Sequence, residues 1–376
     1  MPQATSATIG SPPRAATYAS LLPLVLVVSL FFLWGVANNL NDILVAQFKK
    51  AFTLSDLQAG LVQSAFYLGY FLVAIPAGLF MRRFGYKGAI VFGLMLYGAG
   101  ALLFWPAAAS ATYGAFLFAL FVIASGLAFL ETSANPLVTL LGPPETAAAR
   151  LNLAQAFNPL GSISGVLIGQ LFIFSGIEHT PQQRAAMDDT ARHAYLMREA
   201  SAVQWPYLVI GLVVIGWALM IVLTRFPDTD VPAERDPAIH HGALARLLRS
   251  GRFMAAVGAQ FFYVGAQVSV WSYLIRYVQG TMPGTPARSA ANFLTASLVC
   301  FMIGRFMGAA LMKYLRPARL LAIFAAIDIA LAVVAVLMPG AVGAYALVAC
   351  SFFMSVMYPT IFALGVEGRD DAERKF

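Results

Sequence analysis

Charged side chains are scarce in this sequence. Only 11% of its 376 residues are Asp, Glu, Lys or Arg, whereas about 25% is usual for a soluble domain. Hydrophobic residues make up 60% of the chain, and the mean hydropathy is +0.76. This composition argues against a soluble globular protein and predicts a multi-pass membrane protein whose main surroundings are the lipid bilayer.

Cysteine and histidine are also rare. Cys300 and Cys350 both lie in apolar runs, so no disulfide framework is indicated. All four histidines lie outside the predicted spans, and the pair His240-His241 has no Cys or carboxylate at metal-ligand spacing. We therefore expect no metal and no cofactor. The net charge of +7 is interpreted through membrane topology, and no nucleic-acid partner is expected.

Long stretches without charge mark the membrane spans, since about 20 residues of helix cross the hydrocarbon. The charge-free windows 88–130 and 329–366 are each long enough for two spans, with interruptions at Trp105-Pro106 and Pro339-Gly340. The pattern predicts an all-α membrane protein. Its ten helices are expected at about 21–45, 57–80, 87–105, 112–140, 151–175, 205–224, 253–277, 288–312, 318–338 and 342–366.

The distribution of Lys and Arg sets the expected orientation, because these residues concentrate in cytoplasmic loops. Sixteen of the 24 fall on the side of the N-terminus, seven fall on the other side, and Arg305 lies within a predicted helix. Both termini are therefore expected in the cytoplasm. The predicted domains are a tail (1–20), a six-helix bundle (21–224), a cytoplasmic loop (225–252), a four-helix bundle (253–366) and a charged tail (367–376).

Three acidic residues fall within the predicted spans. A charged Asp at the bilayer centre costs about 2.5–3.5 kcal/mol on insertion scales, so such residues usually mark a function. Glu131 stands far from any basic residue and Asp42 stands among amides, and we predict both as proton-coupling groups. Loss of water at this depth favours the neutral acid. Asp328, in "AAIDIALAVV", has no polar neighbour on its face and is interpreted as structural.

Four predicted helices carry stripes of amide and indole side chains, each on one helical face. Amides pair with sugar hydroxyls, and aromatic rings stack on the C–H face of a sugar. Adhesion between helices is the alternative, and we favour a hydrophilic cavity. The stripes comprise Trp34, Asn38, Asn41 and Asp42; Glu131 and Asn135; Asn152, Gln155, Asn158 and Ser162; and Gln260, Gln267 and Trp271.

Four of these segments carry a specific resemblance. "FFLWGVANNLNDIL", "FLETSANPLVTLLGP", "RLNLAQAFNPLG" and "YVGAQVSVWSYLIRY" resemble the fucose:proton symporter family of the major facilitator superfamily. The likeness runs from about Leu30 to Gly365. It implies two six-helix bundles around a central sugar site, with sugar uptake driven by protons through alternating access.

The resemblance also implies roles for individual residues. It places the cavity carboxylates at Asp42 and Glu131, and some sugar-transporting relatives carry an amide in place of Glu131. L-fucose is therefore the favoured sugar, and a glucose or galactose type of transporter is the alternative. We expect a monomer in a bacterial inner membrane. The positions implied for sugar contact are Trp34, Asn39, Gln155, Asn158 and Tyr358.

The end of the sequence departs from the family pattern. The resemblance implies twelve helices, whereas this sequence stops after the tenth, and its last residues, "GRDDAERKF", are too highly charged to span. We therefore expect this chain alone to transport poorly or not at all, as a truncated remnant would.

Two other classes of function are disfavoured. An intramembrane protease needs a catalytic pair or a His-Glu-x-x-His motif, and no histidine lies in a predicted span. A sugar sensor would need a signalling domain, for which the 225–252 loop is too short. The sequence therefore indicates a transporter and not an enzyme.

Overall fold

The computed structural model describes residues 21–52, 55–173, 187–226, 243–285 and 287–367. Within these ranges the chain is helical apart from short connections. Its α-helices in chain order are α1 (Leu21–Ala51), α2 (Asp56–Ala109), α3 (Tyr113–Leu140), α4 (Ala147–Ile168), α5 (Asp189–Ser201), α6 (Gln204–Leu223), α7 (Ala243–Arg249), α8 (Gly251–Thr281), α9 (Ala287–Leu311), α10 (Pro317–Leu337), α11 (Ala341–Met354) and α12 (Met357–Val366). A π-helical turn, Gly169–Ile173, extends α4. The predicted all-α fold is confirmed.

The helix α2 is two spans joined by a sharp turn. Its apolar part, Gly60–Ala109, has 50 residues, which would measure about 75 Å as one straight helix, against about 30 Å of hydrocarbon. Gly85 has φ 73°, a left-handed conformation that glycine adopts without strain. The rings of Phe80 and Phe92 stack at 4.8 Å across this turn. The chain therefore folds back on itself at Gly85.

Eight of the described helical segments are long and apolar enough to cross a membrane. Dividing α2 at Gly85 makes nine, and α4 with its π-helical turn, which is more polar because of its amide stripe, accounts for the tenth predicted helix. The boundaries differ from prediction at three places. Pro106 lies inside α2 and does not end it, and the last predicted span is divided between α11 and α12 near Ser355. The polar segment 176–204, which separates the predicted helices 151–175 and 205–224, contains α5.

The helix α5 forms because its ends are satisfied and because it docks on α1. The Asp188 side chain caps it by accepting a hydrogen bond from the backbone N–H of Ala191 at 2.6 Å. Glu199, near its other end, is buried and accepts a hydrogen bond from Gln47 of α1 at 2.8 Å. The polar composition of this segment predicts a loop. A helix with a buried carboxylate is favourable here only because a tertiary contact satisfies that carboxylate.

Successive spans run in opposite directions, so their connections gather at two ends of the molecule. At one end Lys87 donates hydrogen bonds to the carbonyl oxygens of Val222 and Thr224, each at 2.9 Å. Arg252, at the start of α8, forms an ion pair there with Glu367, just after α12. We call this side of the molecule the basic end. The contact between Gln47 and Glu199 lies at the opposite end.

The helices α1 and α4 pack with their backbones in contact at Gly161. A Cβ atom at Gly161 would lie 2.0 Å from the carbonyl oxygen of Phe32. We expect Gly161→Ala to force the helices apart and to destabilise the protein by about 1–3 kcal/mol, the usual cost of overpacking. The measurement is the melting temperature of the purified protein in detergent. Gly216→Ala is the matched control, since a Cβ there would meet no atom within 4 Å. Equal melting temperatures for the two variants would contradict this packing.

Candidate functional site

The carboxyl group of Glu131 is hydrogen-bonded between the two halves of the chain, which we define as the first half (residues 21–226) and the second half (residues 243–367). The Tyr358 hydroxyl of α12 donates to Glu131 Oε1 of α3 at 2.7 Å. Glu131 lies nine residues before the end of α3, in an apolar helix. Tyr358 follows the break between α11 and α12. The contact joins a lone intramembrane carboxyl group to the opposite half of the molecule.

Two neighbouring buried donors, Trp34 and Tyr70, lie near this carboxyl group. The indole nitrogen of Trp34 and the hydroxyl of Tyr70 are both buried and lie next to each other, and neither makes a hydrogen bond of regular geometry in the described chain. Tyr70 is within electrostatic reach of Glu131 and Tyr358 and is adjacent to Trp34. A buried donor without a partner costs about 1–3 kcal/mol. These donors are therefore available to the oxygen atoms of a bound solute or of water.

A second polar cluster joins α3, α4 and α9. The amide nitrogen of Gln155 donates to Asn135 Oδ1 at 3.0 Å. One guanidinium nitrogen of Arg305 donates to both the backbone oxygen of Gln155 at 2.7 Å and its side-chain oxygen at 3.1 Å. Arg305 is only 7% exposed. The cluster therefore links the halves through a buried cation.

Trp271 and the Arg305 guanidinium both contact the ring of Phe301. The indole of Trp271 lies 5.0 Å from the ring of Phe301, and the Arg305 guanidinium stands 4.7 Å from that same ring. A guanidinium over an aromatic face is attracted by the ring quadrupole. The indole N–H of Trp271 donates to Ser351 Oγ at 3.1 Å, so its ring, and not its N–H, is what the site can use.

The structure gives the remaining predicted site residues other contacts or partial burial. The Asn158 amide donates to the Phe31 carbonyl at 3.3 Å, and the Asn39 amide lies 3.5 Å from the carbonyl of Gly35 on its own helix. Asn38 and Gln267 are partly buried. Two predictions lie outside the described parts of the chain: the side chain of Asp42, which belongs to α1, and the pair His240-His241.

Two amides of the predicted stripes hold helices together. Asn41 donates to Gln63 of α2 at 2.8 Å. Asn152, which is fully buried, donates to Thr360 Oγ1 of α12 at 3.1 Å and contacts Met312 Sδ at 3.5 Å. Adhesion therefore accounts for part of the stripes. The contacts of Asn152 also join the two halves on the side of the basic end.

Sequence reasoning missed Tyr70 as a neighbour of Glu131 and placed Arg305 within a predicted helix without assigning it a role in the site. Tyr70 stands in "FYLGYF", where nothing separates it from an ordinary core aromatic. Arg305 did carry a signal, because a lone cation within a span calls for the same explanation as a lone carboxylate. Together the groups provide a carboxyl group, a cation, amides, hydroxyls and indoles. Such a set can bind a polyhydroxylated solute and hold a proton.

Comparisons with known proteins agree on one family. Residues 24–374 match the profile of the Major Facilitator Superfamily. The L-fucose-proton symporter of Escherichia coli K12 is 49% identical over 350 residues, covering 92% of this chain and 80% of the relative. A glucose/galactose transporter of Brucella abortus is 38% identical over 340 residues, covering 90% and 78%. The crystal structure of the transporter FucP in the outward conformation has a TM-score of 0.87 at 48% identity, covering 94% of this chain and 86% of that one.

Proposed function

The chain belongs to the Major Facilitator Superfamily, and on that basis we propose that it takes up L-fucose together with protons by alternating access. The observation that carries this proposal is the hydrogen bond from Tyr358 to Glu131. It joins a proton-binding group to the opposite half of the chain, as coupling between proton and conformation requires. The 49% identity to an L-fucose-proton symporter supports the choice of sugar.

The two halves act as the moving bodies in this proposal. They correspond to the bundles 21–224 and 253–366, which rock about a site near the bilayer midplane. The basic end faces the cytoplasm, since Lys and Arg concentrate on that side, and both termini lie there in a bacterial inner membrane. The chain works as a monomer.

The conformation described is outward-facing in this proposal. Asn152–Thr360 and Arg305–Gln155 join the halves on the side of the basic end, and so keep the site closed to the cytoplasm. The similar structure of FucP is also in an outward conformation. Inward opening then requires these two contacts to break.

Glu131 carries the coupled proton in this mechanism. Its neutral form lets the sugar-loaded site reorient without a naked charge, and release of the proton on the other side resets the site. Asp42 receives protons on the external side. The residues that contact the sugar are Trp34, Asn38, Asn39, Asn135, Gln155, Asn158, Gln267, Trp271 and Tyr358.

The test is transport by the purified chain in proteoliposomes. The proposal predicts that an inwardly directed pH gradient drives accumulation of labelled L-fucose and that excess unlabelled L-fucose inside drives counterflow, whereas the two missing helices noted in the sequence predict little or no accumulation by this chain alone. D-Glucose and D-galactose serve as competitors, because a glucose/galactose transporter is 38% identical. Stronger uptake of those two sugars would assign the chain to the alternative. Absence of counterflow with all three would reject transport of these sugars.

Asp42→Ala is expected to shift the external pH dependence of uptake. Asp42 lies in the part of α1 that approaches the end opposite the basic end, where an external proton would enter. Uptake is measured across a series of external pH values at constant internal pH. Asp189→Ala, which removes an exposed carboxylate in the first turn of α5, controls for surface charge. A pH profile that matches the wild type would remove Asp42 from the mechanism.

A further inference from the structure

The last membrane span of the second half is broken between α11 and α12. Pro359, the third residue of α12, explains the break, because proline has no N–H for the carbonyl of Ser355 and its ring pushes that carbonyl aside. In a continuous helix the Met354 carbonyl would accept the backbone N–H of Tyr358. The backbone hydrogen bonds described around the break include none between these two residues. The Met354 carbonyl therefore needs a donor from elsewhere.

Tyr263 of α8 supplies this donor. Its hydroxyl donates to the Met354 carbonyl at 2.9 Å. Both residues are buried, with 6% and 5% of their surface exposed. A buried backbone carbonyl without a partner is costly, and a straight helix would satisfy this one within its own chain. The hydrogen bond from Tyr263 therefore stabilises the bent form of the span over the straight one.

The short helix α12 carries two of the contacts between the halves. The Tyr358 hydroxyl donates to Glu131 Oε1 at 2.7 Å, and Thr360 Oγ1 accepts from the Asn152 amide at 3.1 Å. Both residues lie in the first turn beyond the break. The direction in which α12 leaves α11 therefore decides whether the Tyr358 hydroxyl reaches Glu131.

The helix α9 packs closely against the same break, through glycines. A Cβ atom at Gly304 would lie 2.3 Å from the carbonyl oxygen of Phe352, and one at Gly308 would lie 2.0 Å from Val356 Cγ1. These contacts are steric and limit how far the break can approach α9. The hydrogen bond from Tyr263 is directional, so it fixes the orientation of the chain at the break from the side of α8.

We propose that Tyr263 is a positioning residue of the sugar site, whose hydroxyl holds the break between α11 and α12 in the bent form that places the Tyr358 hydroxyl on Glu131. Without the Tyr263 hydroxyl, the Met354 carbonyl takes its donor from water or from its own helix, and α12 changes direction. The Tyr358 hydroxyl then leaves Glu131. This inference rests on the proposed sugar uptake, because Tyr358 and Glu131 belong to the site of that proposal.

The experiment measures the affinity of the purified chain for L-fucose by isothermal titration calorimetry. Tyr263→Phe keeps the ring and removes the hydroxyl, and the affinity should fall about fivefold, the effect of one neutral hydrogen bond on an equilibrium. Tyr277→Phe is the matched control. It removes a hydroxyl of the same helix that donates to the Ala335 carbonyl at 2.6 Å, away from the break, and should leave the affinity unchanged.

A double variant shows whether Tyr263 acts through Tyr358. If it does, Tyr263→Phe combined with Tyr358→Phe should bind L-fucose as weakly as Tyr358→Phe alone, because effects on one interaction do not add. A double variant whose loss is the product of the two single losses would overturn the inference. So would a Tyr263→Phe variant that binds as tightly as the wild type. Failure of the wild type to bind L-fucose would instead overturn the proposed function.

Hydrogen exchange tests the inference without any sugar. Mass spectrometry follows exchange of the backbone amides in the peptide that covers residues 354–360. Tyr263→Phe should speed exchange in this peptide about fivefold, since the break opens more often when one hydrogen bond is lost. Tyr277→Phe should leave the peptide at the wild-type rate. Equal exchange at 354–360 in Tyr263→Phe and the wild type would show that the hydroxyl does not hold the break and would overturn the inference.

Discussion

Glu131→Gln is expected to abolish accumulation of sugar against its gradient while leaving exchange of sugar across the membrane. The amide oxygen of Gln can still accept the Tyr358 hydroxyl, so the contact at 2.7 Å between the halves is kept. What is lost is the group that binds and releases a proton. A pH difference of one unit is worth about 1.4 kcal/mol for each coupled proton, which supports about a tenfold accumulation. The variant should therefore reach only equal concentrations on the two sides.

The measurement has two arms in the same proteoliposomes. Uptake driven by a pH gradient gives the accumulation ratio, and counterflow at equal pH gives the exchange rate. Glu145→Gln is the matched control, because Glu145 is an exposed carboxylate in the turn before α4. A Glu131→Gln variant that accumulates sugar to the wild-type ratio would remove Glu131 from proton coupling.

Arg305→Ala is expected to shift the conformational equilibrium away from the closed basic end. The substitution removes two hydrogen bonds from a buried charged donor to Gln155. Hydrogen bonds to charged groups contribute about 1.5–3 kcal/mol each, and about 1.4 kcal/mol changes an equilibrium tenfold. The population with the halves apart at the basic end should therefore rise at least about tenfold.

Spin labels report this change directly. One label is placed at Glu145 of the first half and the other at Tyr314 of the second half, both in exposed turns of the basic end. Pulsed electron paramagnetic resonance measures the distribution of distances between the two labels. Arg305→Ala should enlarge the fraction of long distances. Arg316→Ala removes an exposed cation at the same end and should leave the distribution unchanged. Coincident distributions for Arg305→Ala and the wild type would contradict a locking role for Arg305.

The membrane fold was accessible from the sequence because the bilayer constrains each span separately. Every backbone polar group in the hydrocarbon must be satisfied within the helix, so length and lack of charge are enough to place a span. The turn at Gly85 could also be predicted from the sequence, since Arg82, Arg83 and Lys87 interrupt the apolar pattern there. The helix α5 did not follow, because a buried Glu199 becomes favourable only through its contact with Gln47.

The kinds of side chain that form the site could also be predicted from short stretches of the sequence. A carboxyl group at mid-membrane is unusual wherever it occurs, which singled out Glu131 before any fold was known. Helical periodicity placed Asn135 one turn away and put Gln155 on a polar face of α4. The periodicity of a stripe could not say what the stripe contacts, because an amide serves a sugar or a neighbouring helix equally well. Asn41 and Asn152 proved to contact helices.

The partners of the site residues depended on packing between distant parts of the chain. Tyr358 lies 227 residues from Glu131, and Arg305 lies 150 residues from Gln155. Hydropathy and periodicity describe each helix alone and carry no information on which helices of the two halves meet. The assignment of Arg305 to Gln155 follows from how the halves pack. A hydrogen bond or an ion pair forms only where that packing brings donor and acceptor within reach.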